Sequence, residues 1–266
     1  MIFETHAHYD DARYDDDRDI LLSAMPQHGV GRIINVGASI ASSEATLKLA
    51  ETYDFVYASV GVHPSETACL NDESFDWIKR QTYGRKVVAV GEIGLDYYWE
   101  KDKEIRTLQQ HWFRRQLELA VLNNMPVIIH SRDAASDTVR ILKETGGKIT
   151  GVIHCYSYSP KLAVQLIEMG FYIGVGGVVT FKNAKKLKET VSLIPTDRIL
   201  LETDCPYMAP EPHRGMRNNS TLIPLIAQTI AELKGISKEE VERITWENAM
   251  RLFFQTKRES SGVSPQ

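Results

Sequence analysis

The chain has 266 residues, 43% of them hydrophobic, enough to bury a sizeable core within one domain. A formal net charge of −4 excludes a protein that grips duplex DNA over many phosphates, because that mode needs a basic face. Three cysteines (Cys69, Cys155, Cys205) with no C-x-x-C pair exclude a disulfide framework or a thiolate zinc site, and no apolar run approaches the roughly 20 residues of a membrane span.

Eight short apolar runs bounded by turn residues read as strands, at residues 2–6, 32–36, 55–60, 87–91, 126–130, 150–154, 171–175 and 198–203. The N-terminus, M-I-F-E-T-H-A-H, has neither the basic start nor the long apolar stretch of a signal peptide, so a cytoplasmic protein is expected. After the first strand, D-D-D-R-D-I-L-L-S-A-M-P-Q-H-G begins with acids suited to a helix N-terminus and stops at Gly29. Between the fourth and fifth strands, E-I-R-T-L-Q-Q-H-W-F-R-R-Q-L-E-L-A-V-L-N-N carries an apolar face at helical spacing. Runs such as V-V-A-V and I-L-L suit strands covered on both faces, as in a parallel sheet. Eight alternating units predict an α/β fold, a TIM (β/α)8 barrel, with an open doubly wound sheet as the alternative.

Two extra C-terminal helices follow, roughly 219–234 and 237–254, with Gly235 ending the first and Ser237 and Glu240 forming a capping box for the second. Residues 1–256 are thus expected as one barrel domain and 257–266 as a disordered polar tail.

In such a barrel all strand C-termini open onto one face, and there the sequence sets six donors: His6 and His8, Glu92, His130, His154 and Asp204. His6 and His8, one residue apart, project from the same side of the first strand. H-x-H alone is a weak signal; the other four donors turn it into a metal site. Imidazole and carboxylate together suit zinc, manganese, nickel, cobalt or magnesium. Six donors exceed the needs of one tetrahedral ion, so two divalent cations sharing a carboxylate are expected, with Glu92 as the bridge. A modified lysine is an alternative bridge in related barrels, but Lys86 lies at the wrong end of its strand.

Asp204 reads as both ligand and general base, against the alternative of capping a turn. His63, in G-V-H-P, reads either as a contact to a substrate phosphate or leaving group, or as a loop histidine satisfying a carbonyl. Arg132, Arg214 and Arg217 are expected near the opening, as are Tyr97, Tyr98, Trp99, Tyr156, Tyr158 and Tyr207. Arginine forks bind phosphate, and aromatic rings stack on single-stranded bases. His213 reads as a surface residue, and His28 and His111 carry no assigned role. Cys155 and Cys205 each follow a proposed ligand and read as buried small hydrophobes pointing away from it.

The motifs T-H-A-H, G-V-H-P, G-E-I-G-L-D-Y-Y, H-S-R-D-A, I-H-C-Y-S, L-L-E-T-D-C-P-Y and W-E-N-A-M-R-L-F resemble those of the TatD family of metal-dependent deoxyribonucleases, over roughly residues 3–254. The resemblance implies an amidohydrolase-type barrel with two divalent ions (Mg2+, Mn2+ or Zn2+) and hydrolysis from the 3′ end of DNA. It implies that His6, His8, Glu92 and Asp204 hold one ion and Glu92, His130 and His154 the other. The chain departs from the family pattern at Glu4, Ser65, Tyr158, Met216, Asn219 and Ser220, which are expected to alter loops on the substrate side.

Three readings compete. The first is a 3′-5′ exonuclease on single-stranded or frayed DNA ends, with His63 and Arg132 steadying the phosphate, Tyr156 a further substrate contact, Glu92, Asp204 and His63 at the reacting centre, and Asp204 accepting the proton of the attacking water. The second is an ester or amide hydrolase, such as a D-aminoacyl-tRNA deacylase. The third is a non-catalytic binding barrel, which loss of a ligand would favour; all six are present. A nucleotide-bearing substrate is expected, and no membrane partner.

Overall fold

The computed structural model describes residues 1–255, and the expected tail at 257–266 lies outside them. Eight parallel strands form one sheet in sequence order: β1 (Ile2–Ala7), β2 (Val30–Val36), β3 (Val56–Val60), β4 (Val87–Asp96), β5 (Val127–Arg132), β6 (Gly151–Ile153), β7 (Phe171–Val175) and β8 (Ile199–Leu201). The last strand returns to the first through a parallel bridge at Ala7 and Cys205 and through the amide of Asp204, which donates to the His6 carbonyl at 2.9 Å. The sheet is therefore a nearly closed TIM barrel.

Seven helices connect the strands: α1 (Arg18–Ala24), α2 (Ile40–Thr52), α3 (Asp72–Gln81), α4 (Lys103–Leu122), α5 (Ala135–Glu144), α6 (Pro160–Glu168) and α7 (Lys185–Leu193). The expected pair α8 (Ile223–Lys234) and α9 (Lys238–Met250) follows β8. Gly235 ends α8 in the left-handed region at φ 67°, and the Ser237 hydroxyl accepts from the Glu240 amide at 3.1 Å. No helix among the described residues is long and apolar enough to cross a membrane.

Several element boundaries differ from expectation, the eighth strand and the two C-terminal helices being shorter than expected, and two of the differences have a direct physical reason. The helix expected up to Gly29 stops at Ala24 and tightens into a 3-10 turn over Met25–His28, because Pro26 lacks an amide and clashes with the preceding turn. Strand β4 runs on to Asp96, five residues beyond the apolar run. Gly94 permits this: it sits at φ +144°, and a Cβ there would lie 1.9 Å from the His130 carbonyl oxygen of β5.

Side chains of the sheet alternate between two cores. One set, including Ile129, Ile153, Ile173 and Leu201, packs under the helices. The other is a row of second residues, namely Phe3, Val88, Ile128, Val152, Tyr172 and Leu200, clustered with Ala249, Leu252 and Phe253 from the end of the described chain. This second set fills the lumen at its N-terminal end. A period of two carries the same row upward, from Ile128 to His130 to Arg132, from Val152 to His154, and from Leu200 to Glu202 to Asp204. The alternation that fills the barrel below thus aims the polar residues into its mouth.

Candidate metal centre

The six expected donors meet at the C-terminal mouth. Donor atoms of His6 (Nε2), His8 (Nε2), Glu92 (Oε2) and Asp204 (Oδ1) form a cage whose edges include 3.1 Å (His6 to His8), 3.5 and 3.7 Å (His6 to Glu92 and Asp204) and 3.7 and 3.5 Å (His8 to Glu92 and Asp204). A tetrahedral ion with ligands at about 2.1 Å requires edges of about 3.4 Å, so the cage has the size of a zinc-like cation. The other oxygen of the same carboxylate, Glu92 Oε1, lies 2.9 Å from His130 Nδ1 and 2.8 Å from His154 Nε2, which are 3.3 Å apart. One carboxylate thus serves both groups, as a bridge would.

Charge supports the same fit. Among the described residues Glu92 and Asp204 pair with no lysine or arginine, only with histidines. Burial would push both carboxyls up, yet the surrounding imidazoles hold Glu92 well below the usual carboxylate range and Asp204 below it. Against its own burial, His8 is pushed up to about 9 by Asp204 and Glu92, and His130 to about 9 by Asp96 and Glu92. Burial lowers His6 to about 4, so it stays neutral, while the carboxylates raise His8, His130 and His154; ionised carboxylates that meet no lysine or arginine are the charge that divalent cations would neutralise.

The outer nitrogens fix ring orientation. His8 donates from Nδ1 to the Val36 carbonyl at 2.9 Å, which leaves its Nε2 lone pair facing the cage. His130 Nε2 lies 3.1 Å from Asp96 Oδ2, so its Nδ1 is the free lone pair. Asp96 is held in turn by the amides of Tyr98 (2.9 Å) and Trp99 (3.1 Å). Sequence reasoning missed Asp96; its signal was its place in G-E-I-G-L-D, four residues after Glu92 and on the same side of the strand. Glu202 was missed likewise. It lies two residues before Asp204 in the lumen row, fully buried, and burial pushes its carboxyl up to about 8.

His63 stands beside the second group, its Nε2 3.7 Å from Glu92 Oε1. Its Nδ1 accepts the Ser65 amide at 3.1 Å, and burial lowers its pKa to about 3, so the neutral ring carries its proton on Nε2. A protonated nitrogen is a donor rather than a ligand, which favours contact with substrate over metal binding.

Except for the fully buried His6, the donors of the centre line a cavity of about 860 Å³, together with Asp96, Glu202 and His63. Arg132, Tyr156, Trp99 and Tyr207 line it too, and Trp99 is 74% exposed. The Arg132 guanidinium stacks on Tyr98 at 4.0 Å and makes no hydrogen bond or ion pair among the described residues. Tyr156 is buried in the wall, and its hydroxyl donates to the Ser159 carbonyl at 2.6 Å, so the ring rather than the hydroxyl is offered.

Several expected neighbours do not reach the opening. Arg217 is bound to Asp17 (2.8 Å) and lies over the Tyr14 ring, and Arg214 lies over Phe181; neither lines the cavity. The Tyr97 hydroxyl donates to Asp137 and that of Tyr158 pairs with Ser131. Cys205 is buried as expected, but Cys155 is not: its φ of 45° departs from an extended chain and turns it into the cavity wall. Of the six departures from the family pattern only Ser65 lines the cavity. Glu4 and Ser220 meet each other instead, the Ser220 hydroxyl donating to the buried Glu4 carboxylate at 3.0 Å beside Thr203, where they tie the β8 end to β1.

A family model described as TatD related DNase matches residues 3–254. The metal-dependent hydrolase YabD of Bacillus subtilis (strain 168) is 45% identical over 254 residues, covering 95% of this chain and 99% of its own. The metal-dependent hydrolase YcfH of Escherichia coli (strain K12) is 36% identical over 260 residues, covering 95% of this chain and 96% of its own. Among solved structures, that of YJJV, a TatD homolog from Escherichia coli K12, superposes with a TM-score of 0.88 at 32% identity, covering 95% of this chain and 97% of its own.

Proposed function

The chain belongs to the TatD family and is a metal-dependent hydrolase, and from that premise we propose that it is a two-ion exodeoxyribonuclease that removes nucleotides from the 3′ end of single-stranded or frayed DNA. The observation that carries this reading is the pairing of a divided donor set with an unpaired arginine in one cavity. His6, His8, Glu92 and Asp204 would hold one ion and Glu92, His130 and His154 the other. Two such ions supply Lewis acidity toward a phosphoryl oxygen and lower the pKa of water toward about 7.

The chain's own groups do the rest. Arg132 offers an unpaired guanidinium fork to a phosphate, and His63 offers an Nε2 proton to a phosphate oxygen or leaving group. Asp204 accepts the proton of the attacking water. Trp99, 74% exposed at the cavity, provides a face on which a base stacks, and Tyr207, nearly half exposed with Arg13 over one side of its ring, offers its other face. A cavity of about 860 Å³ admits the end of a strand rather than a duplex, which agrees with the acidic net charge. The 3′-to-5′ direction is what the family resemblance implies.

The test is hydrolysis of a single-stranded DNA oligonucleotide labelled at its 5′ end, with Mg2+, Mn2+ or Zn2+ returned to metal-stripped protein. A metal-dependent ladder shortening from the 3′ end is expected. Intact DNA beside protein carrying two ions would overturn the nuclease reading and direct the search to ester and amide substrates, aminoacyl-RNA first.

A further inference from the structure

Each histidine of the centre turns one nitrogen toward Glu92 or Asp204 and has one left over. For His8 and His130 the left-over nitrogen has an acceptor, the Val36 carbonyl and Asp96. For His6 and His154 it has none: both Nδ1 atoms are buried without a hydrogen-bond partner among the described residues. Only five buried side-chain polar atoms in the described chain are in that condition, and a third is Glu202 Oε2. Their residues form one cluster: one donor atom from each of His6, His154 and Glu202 lies within 4.8 Å of the other two.

The geometry of the cluster is specific. The His6 and His154 rings are stacked, with centroids 3.9 Å apart and planes at 15°, and their Nε2 edges approach the two oxygens of Glu92 at 3.5 and 2.8 Å. On the other side His154 Nδ1 is 3.9 Å from Glu202 Oε1, too long for a hydrogen bond. Two groups hydrogen-bonded to one water at about 2.8 Å and a tetrahedral angle lie about 4.6 Å apart, so donors within 4.8 Å of one another can share a single bridging water. The carboxylate is seated deliberately. The Cys155 amide donates to Oε1 at 2.5 Å, and Gly174 makes room for Oε2, since a Cβ there would lie 2.3 Å from it.

We propose that Glu202 is a positioning residue shared by both ion sites: one water accepts the Nδ1 protons of His6 and His154 and donates to Glu202 Oε2. The arrangement rests on the two-ion reading of the centre. It fixes the Nδ1–H tautomer of both rings and leaves each Nε2 lone pair facing its own ion. Because one carboxylate and one water serve a histidine from each site, disturbing Glu202 weakens both sites together. Asp96, by contrast, orients a ligand of one site alone.

The test needs no nucleic acid. Metal-stripped parent and Glu202→Gln protein are titrated with Zn2+ against a competing chelator, with thermal melting of both metal-free proteins as the folding control. The expected result is a loss of about 10- to 100-fold in affinity at both sites with the metal-free melt unchanged. Gly174→Ala, which crowds Oε2 while keeping the carboxylate, is expected to weaken both sites in the same direction. If either variant fails to fold, the parent alone decides. Long-range 1H–15N correlation of the Zn2+-loaded parent should show His6 and His154 protonated on Nδ1.

Unchanged affinities in Glu202→Gln overturn the proposal, as do weakening at one site only, a third Zn2+ bound per chain, or a bare Nδ1 on either ring. A parent that takes up fewer than two Zn2+ overturns the two-ion reading and this proposal with it. Failure to cut DNA leaves every one of these readouts intact.

Discussion

The two ends of the barrel are built by the same alternation and do opposite work. At the N-terminal end the lumen row is Phe3, Val88, Ile128, Val152, Tyr172 and Leu200, sealed by Leu252 and Phe253 after α9. Two residues further along, the same rows carry His130, His154 and Glu202, and the lumen becomes a polar cavity. The lower end stabilises by removing apolar surface from water; the upper end gathers carboxylates and imidazoles that would be costly to bury unpaired. A fold that separates the two tasks can change one without the other.

The sharpest way to break the comparison is at the bridge. Glu92→Ala removes an oxygen from each donor group, so it should strip both ions while the barrel still folds. Losing several kcal/mol of electrostatic stabilisation corresponds to about 10³-fold or more in turnover. Metal content by atomic emission, turnover and a far-ultraviolet circular dichroism spectrum measure the three. Turnover comparable with the parent would remove Glu92 from the bridging position.

The converse change sits at the other end. Phe253 is 1% exposed and its ring centroid lies 6.3 Å from that of Phe3. Phe253→Ala should cost about 3–5 kcal/mol of stability, through lost transfer energy and the cavity left behind. Zinc affinity and kcat of the folded fraction should stay within a few-fold of the parent. A large loss of metal affinity at preserved fold would show that the two ends are coupled after all.

A smaller test separates holding metal from moving a proton. Asp204→Asn keeps an oxygen for the cage and abolishes the base, so kcat should fall about 10²- to 10⁴-fold while KM changes little. If instead KM alone rises, Asp204 serves substrate binding and the base lies elsewhere.

The sequence made the upper end legible because chemistry-bearing residues close apolar runs. I-F-E-T-H-A-H, P-V-I-I-H, G-V-I-H and L-L-E-T-D each end in donors that the structure brings within 3.7 Å of a neighbour. The alternation of apolar runs with helical segments gave the barrel itself. What stayed hidden depends on tertiary position. Arg214 and Arg217 sit in the right loop, but Asp17 binds Arg217 and Arg214 lies over Phe181. Glu4 and Ser220 look like independent departures along the chain and are one hydrogen-bonded pair in space. Asp96 follows Glu92 at period two, but the apolar run that marks the strand stops at residue 91, and only the fold shows that Gly94 lets β4 continue.

Arg132 gives the finest probe of the upper end, because it is the charge there that touches no carboxylate. It stacks on Tyr98 at 4.0 Å with Trp99 at 5.7 Å, which holds the guanidinium plane while leaving its donors open to the cavity. A hydrogen bond to a charged partner contributes about 1.5–3 kcal/mol, so Arg132→Ala should raise KM for an oligonucleotide roughly 10- to 100-fold at nearly constant kcat. Arg132→Lys should recover only part of this, since an ammonium keeps the charge but neither the fork nor the stacking. The salt dependence of KM should flatten in Arg132→Ala and persist in Arg132→Lys, because the phosphate contact is the screened term. A fall in kcat at constant KM would instead assign Arg132 to the reacting phosphoryl group, one step closer to the ions than the rim.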